Sequence, residues 1–86
     1  MTVLVRVLLK SGVLDPQGKA IADALHRLGY AQVSDVRAGK LFRIDVGEAI
    51  DAKSALEAGR RMAETLLANP VIEQYEVDIE PVEAAV

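Results

Sequence analysis

The chain has no cysteine and no tryptophan, and it has only one phenylalanine, two tyrosines and one histidine. The absence of cysteine excludes disulfides and thiolate metal sites. Scarce aromatic residues and a formal net charge of −3 argue against RNA binding on a sheet face, which needs stacked rings and positive charge. No hydrophobic run is long enough to span a bilayer. We therefore expect no nucleic acid or membrane partner, and a cytoplasmic location.

The composition favours one small domain that associates with further copies. Hydrophobic residues make up 51% of the 86 residues. A domain of this size buries only about 60–65% of the surface that its unfolded chain exposes, so part of this hydrophobic content exceeds what one core absorbs. We expect a single domain over residues 1–80 and a C-terminal tail over residues 81–86.

Hydrophobic periodicity predicts six elements, with strands over residues 3–9, 32–37, 40–46 and 75–80 and helices over residues 16–28 and 52–68. Asp15 and Asp51 are placed as N-caps, and Pro16 suits a first helical position. The order β-α-β-β-α-β with right-handed crossovers predicts an α+β, ferredoxin-like sandwich. In this fold two helices cover one face of a four-stranded antiparallel sheet.

The uncovered sheet face is predicted to be too apolar for an idle surface, because three leucines lie among charged residues on it. We expect this face to be buried against a second copy, with Arg6 or Arg43 paired to Asp45. The oligomer-interface candidates are Leu4, Arg6, Leu8, Leu41, Arg43 and Asp45.

The sequence offers no set of side chains able to run a reaction. His26 has no second histidine or cysteine with which to bind zinc, and no serine lies in a nucleophile motif. Gly12 and Gly18 do not fit a nucleotide-binding fingerprint. A phosphate contact at Lys10 or Lys40 stays open, because a helix N-terminus attracts anions. We expect no catalytic residue and no metal site.

The turn before the first helix is more elaborate than a helix cap requires. Asp15 and Pro16 account for the cap, whereas capping requires neither Gln17 nor Gly18. Glycine in a helix costs roughly 1 kcal/mol relative to alanine. We interpret this turn as a binding surface.

Three motifs, GVLDPQG at 12–18, VRAGK at 36–40 and LANPVIEQY at 67–75, resemble the PurS subunit of phosphoribosylformylglycinamidine synthase. The resemblance covers essentially the whole chain. It implies a small subunit of a purine-biosynthesis complex that has no active site or cofactor of its own and bridges two partners. These partners are a large synthetase subunit, which holds ATP and magnesium, and a glutaminase subunit that releases ammonia. The implied assembly contains a homodimer, and a dimer of dimers is left open.

The partner-docking candidates lie within the three motifs and are Asp15, Pro16, Gln17, Gly18, Arg37, Gly39, Lys40, Asn69 and Pro70. Helix-stop chemistry explains Asn69 and Pro70 equally well. A different class of protein on the same fold is a small-molecule-binding regulatory domain. Its ligand would lie at a dimer interface near the first strand-to-helix turn.

Overall fold

The structure is a computed structural model and describes residues 1–80, so the predicted tail at 81–86 lies outside the described residues. The elements are strand β1 (Thr2–Leu9), helix α1 (Pro16–Arg27), strand β2 (Gly39–Asp45), helix α2 (Ala52–Met62), a π-helical turn (Ala63–Leu67) and strand β3 (Glu73–Ile79). No helix among these residues is long and apolar enough to cross a membrane.

Strand β1 is the centre of an antiparallel sheet with the order β2-β1-β3. Val3, Val5 and Val7 alternate along β1, point to one face and are almost fully buried. Val5 lies between Phe42 on β2 and Val77 on β3. Strand β1 is thus the central strand, as is typical of a strand that is apolar on both faces.

Helix α2 supplies the layer that covers the sheet. Its Asp51 cap accepts a 2.7 Å hydrogen bond from the backbone of Ser54. Ala55 and Ala63 are fully buried, and these small side chains let the helix lie close to β1 and β3. The predicted second helix is confirmed over most of its length, but its last turn has π-helical geometry closed by a bond from Ala68 N–H to Ala63 C=O.

The predicted fourth strand is wrong, and the sheet has three strands. Residues 32–37 contain no strand, and residues 33–38, called the strap below, run beside α1. The apolar residues of the strap are Val33 and Val36, which are three positions apart and do not repeat every two residues as a strand face requires. The backbone amide of Ala38 is bound by the Asp15 carboxylate, so residues 32–37 do not pair with β2.

The prediction of two helices on one sheet face is also wrong. Helix α2 packs on β1 and β3, whereas α1 makes at most marginal contact with any other element among residues 1–80. The molecule is consequently flat and extended, at 49 × 37 × 14 Å, with a radius of gyration of 16.2 Å. A compact chain of this length has a radius of gyration of about 12 Å.

The open sheet face carries the six predicted interface residues, as their alternation with the buried valines requires. Arg6 forms an ion pair with Asp78 on β3, which corrects the pairing expected between Arg6 and Asp45. Arg43 donates two hydrogen bonds to Glu80, at 3.1 and 2.7 Å. Leu41 is 57% exposed on this face. The face is thus a row of cross-strand ion pairs with leucines between them.

Candidate functional site

Asp15 joins the start of α1 to the strap. One carboxylate oxygen accepts a 2.9 Å hydrogen bond from the backbone of Gly18, and the other accepts a 2.9 Å bond from Ala38. The side chain is buried, and each of its two carboxylate oxygens accepts a hydrogen bond from one of these donors. The two backbone amides, and secondarily the Arg37 guanidinium, hold the pKa of Asp15 below its ordinary value of 3.8. The prediction that Asp15 is the N-cap of α1 is confirmed, and the same side chain also joins α1 to the strap by a hydrogen bond.

Gly18 and Gly39 both have a steric reason to be glycine. A Cβ at Gly18 would lie 2.1 Å from the carbonyl oxygen of Val36, and one at Gly39 would lie 2.4 Å from that of Val7. Real Cβ atoms do not come so close to backbone oxygens, so any side chain at either position would push segments apart. The interpretation that Gly18 exceeds structural need is therefore wrong, because close packing against the strap requires it.

Arg37 is tied to the same junction. Its guanidinium donates a 2.7 Å hydrogen bond to the carbonyl of Val13 and lies 3.6 Å from the Asp35 carboxylate. Pro16 is the first residue of α1, in the position where a missing N–H costs nothing. The geometry gives Arg37 and Pro16 structural roles, and their part in docking stays a prediction.

Gln17 and Lys40 are different, because their side chains are exposed and make no hydrogen bond or ion pair within residues 1–80. Both line one groove of about 190 Å³ at the end of the sheet. This sheet-end groove is lined by Val7, Leu9, Asp15, Gln17, Ala38, Gly39, Lys40 and Glu73. Two of the three motifs named above therefore meet at one surface.

The third motif adjoins the sheet-end groove through Glu73. The Asn69 side chain accepts a 3.1 Å hydrogen bond from Val71 N–H, which forms a tight turn around Pro70. Asn69 donates its own N–H to the Glu73 carboxylate and accepts the Glu73 N–H, each at 2.7 Å. The hydrogen bonds of this turn thus explain Asn69 and Pro70. They also hold the Glu73 carboxylate in place at the edge of the sheet-end groove.

A second cavity of about 330 Å³ lies between α1 and the strap. His26 contacts the strap there, because its Nε2 lies 2.6 Å from the carbonyl oxygen of Val33 and donates a hydrogen bond to it. Lys19 and Asp23 form an i,i+4 ion pair on the same side of the helix. No group of three possible metal ligands occurs within residues 1–80. The contacts in this cavity hold the strap to α1.

Sequence reasoning missed Glu73 and Ala38 as members of the groove. The bond from Glu73 to Asn69 depends on the turn geometry, so the sequence does not distinguish Glu73 from the other acidic residues near it. Ala38 contributes only its backbone N–H, which no side-chain pattern can indicate. The apolar residues of the groove are Val7 and Leu9, and the sequence predicts them only as members of a strand.

Comparison with known proteins gives the family. The family model for PurS, phosphoribosylformylglycinamidine (FGAM) synthase, matches residues 2–81. The chain belongs to the PurS family. It is similar to the PurS subunit of FGAM synthase from Mycobacterium leprae, with 45% identity over 74 residues that cover 86% of this chain and 89% of the relative.

Solved structures agree with this assignment. Crystalline PurS from Methanocaldococcus jannaschii is 38% identical, with a TM-score of 0.81 over 95% of this chain and 98% of that one. A chain in the structure of PurLQS from Thermotoga maritima is 35% identical, with a TM-score of 0.79 over 90% and 93% of the two chains. PurS is a subunit of FGAM synthase in purine biosynthesis, so the predicted family and the predicted membership of this enzyme complex are confirmed.

Proposed function

We propose that this chain is the non-catalytic subunit that bridges the synthetase and glutaminase subunits of FGAM synthase. In this role it holds the glutaminase where ammonia passes to the synthetase without escaping to water, which is catalysis by positioning. The chain holds no cofactor of its own, and ATP and magnesium bind to the synthetase. A homodimer of this chain takes part in the complex.

One observation carries the proposal: the three family motifs meet around the sheet-end groove, where Gln17 and Lys40 lie exposed with no partner in residues 1–80. Four of the other docking candidates are held by hydrogen bonds, and these are Asp15, Gly18, Arg37 and Asn69. A rigid frame that presents two unengaged polar side chains is suited to recognition, because little side-chain and loop ordering is needed on binding.

The test is a reconstitution of the complex with the Gln17→Ala, Lys40→Ala double variant. We expect glutamine-dependent FGAM formation at limiting subunit concentration to fall about tenfold, equivalent to ~1.4 kcal/mol of docking energy. The rate with free ammonia in place of glutamine should not change, because the synthetase chemistry is untouched.

The matched control is Gln32→Ala with Lys53→Ala, which removes the same two residue types at exposed positions outside the groove. This control should retain full glutamine-dependent activity. If the Gln17, Lys40 variant supports the wild-type rate at every subunit concentration, the groove is not the docking surface.

A further inference from the structure

The cavity between α1 and the strap, called the α1 cavity below, has no part in the docking role proposed above. Its volume is about 330 Å³, and sites for small molecules measure roughly 300–1,000 Å³. Charged side chains line it from both α1 and the strap, and its apolar lining is Leu14, Ala22 and Val36. A cavity of this size and lining suits a small polar molecule with a short apolar part.

The α1 cavity is held open by hydrogen bonds at both ends. At one end the Asp15 carboxylate accepts the backbone N–H groups of Gly18 and Ala38. At the other end His26 donates to the carbonyl oxygen of Val33. Gly18 and His26 are separated along the helix by about 12 Å, at a rise of ~1.5 Å per residue. Because these bonds fix both walls, a ligand meets a cavity that is already formed, and little ordering opposes its binding.

Each wall of the α1 cavity carries one cation and one anion. Lys19 and Asp23 form a pair on α1, and Arg37 and Asp35 form a pair on the strap. The nitrogen and oxygen of each pair are 3.6 Å apart, which is longer than the roughly 2.7–3.2 Å of a hydrogen bond. Exposed ion pairs of this kind are weak, so all four charged groups are available to a bound molecule at little cost.

This balance of charge favours a molecule that carries both signs. An anion alone would lie against Asp23 and Asp35, and a cation alone would lie against Lys19 and Arg37. The remaining carboxylate, Asp15, already accepts a hydrogen bond at each oxygen. In a free α-amino acid the ammonium nitrogen and the carboxylate oxygens lie about 3 Å apart, as standard bond lengths require. That separation is close to the 3.6 Å between the opposite charges on each wall.

We propose that the α1 cavity binds a free α-amino acid as a zwitterion. Its carboxylate lies against Lys19 and Arg37, its ammonium group lies against Asp23 and Asp35, and its side chain meets the apolar lining. The inference goes beyond the docking role, because it assigns a small-molecule ligand to this chain. Asp15 lines both the α1 cavity and the sheet-end groove, so the two sites are neighbours.

Titration of the isolated chain, followed by NMR, tests the site. The probes are L-alanine, L-aspartate and L-glutamine, and we expect at least one of them to give saturable shifts of the Ala22, Ser34 and Val36 amides. The N-acetyl derivative of that amino acid lacks the ammonium group, and γ-aminobutyrate holds its two charges farther apart. Both should bind at least about tenfold more weakly. Equal binding of either compound, or no saturable shift with any of the three probes, would overturn the proposal.

Substitutions of single charges locate the binding. Lys19→Gln and Asp35→Asn each remove one charge at an exposed position that does not fasten the strap to α1, so circular dichroism should show the native fold. We expect each variant to raise the dissociation constant of the amino acid at least about tenfold.

The matched controls are Lys53→Gln and Glu57→Gln, which remove one cation and one carboxylate from α2, away from the α1 cavity. Both controls should bind as the wild type does. If Lys19→Gln and Asp35→Asn also bind like the wild type, the amino acid lies elsewhere and the proposal is wrong. Because these measurements use the isolated chain, their failure leaves the glutamine-dependent test of the sheet-end groove unaffected.

Discussion

Two aspartates that look alike in the sequence have different tasks in the structure. Asp51 caps α2 by accepting from Ser54 alone, whereas Asp15 accepts from Gly18 with one oxygen and from Ala38 with the other. An asparagine side chain has a single acceptor oxygen, so it can replace the carboxylate of Asp51 but not the carboxylate of Asp15. We expect Asp15→Asn to lower Tm by about 5–10 °C and Asp51→Asn by less than about 2 °C, measured by thermal denaturation. Equal effects would show that the bond to Ala38 adds no stability.

The same carboxylate makes stability depend on acid pH. Its pKa is lowered in the folded state, chiefly by the backbone of Gly18, so the unfolded chain binds the proton first as pH falls. The contribution of Asp15 is therefore fully present above its ordinary value of 3.8 and is lost as pH falls through the lower folded value. We expect the Tm of Asp15→Asn to fall less steeply than the Tm of the wild type between about pH 5 and about pH 2. Parallel curves would contradict this.

Prediction from the sequence succeeds at residue scale where the interaction is local. The caps at Asp15 and Asp51, Pro16 at the helix start and the stop at Asn69 all follow from neighbours within a few positions. Gly18 could not be explained this way, since its reason is the carbonyl of Val36, which only the folded chain brings near. The same limit applies to the second bond of Asp15.

At the scale of elements, the arm formed by α1 and the strap should be the least stable part of the single chain. Its ties are a few hydrogen bonds, whereas β1 is covered by two strands and α2. We expect hydrogen exchange, measured by mass spectrometry at concentrations where copies are separate, to be at least about a hundredfold faster in α1 than in β1. Equal protection of the two elements would show that α1 packs on its own sheet.

The elements with strong periodicity were predicted well, and those with weak periodicity were not. Residues 3–9 and 52–68 carry long apolar patterns, and they form β1 and α2 with its π-helical turn. Residues 32–37 contain two valines among polar side chains, too few to choose between a strand and a segment beside a helix. Whether residues 32–37 join the sheet as a fourth strand also depends on where α1 packs, and no local sequence pattern determines that position.

At the scale of the whole molecule, the two sheet faces have separate uses. The covered face packs against α2, and the open face presents Leu4, Leu8 and Leu41 among the Arg6–Asp78 and Arg43–Glu80 ion pairs. The open face is the one that the sequence predicts to meet a second copy, and this stays a prediction. We expect Leu41→Glu, which places a charge beside the partner's leucines, to raise the dissociation constant for self-association at least about tenfold.

Analytical ultracentrifugation across a concentration range checks this, with Val71→Glu, at a position that is even more exposed and lies outside the sheet, as the control. A Leu41→Glu chain that associates like the wild type would remove the open face from this role and would leave it to another subunit.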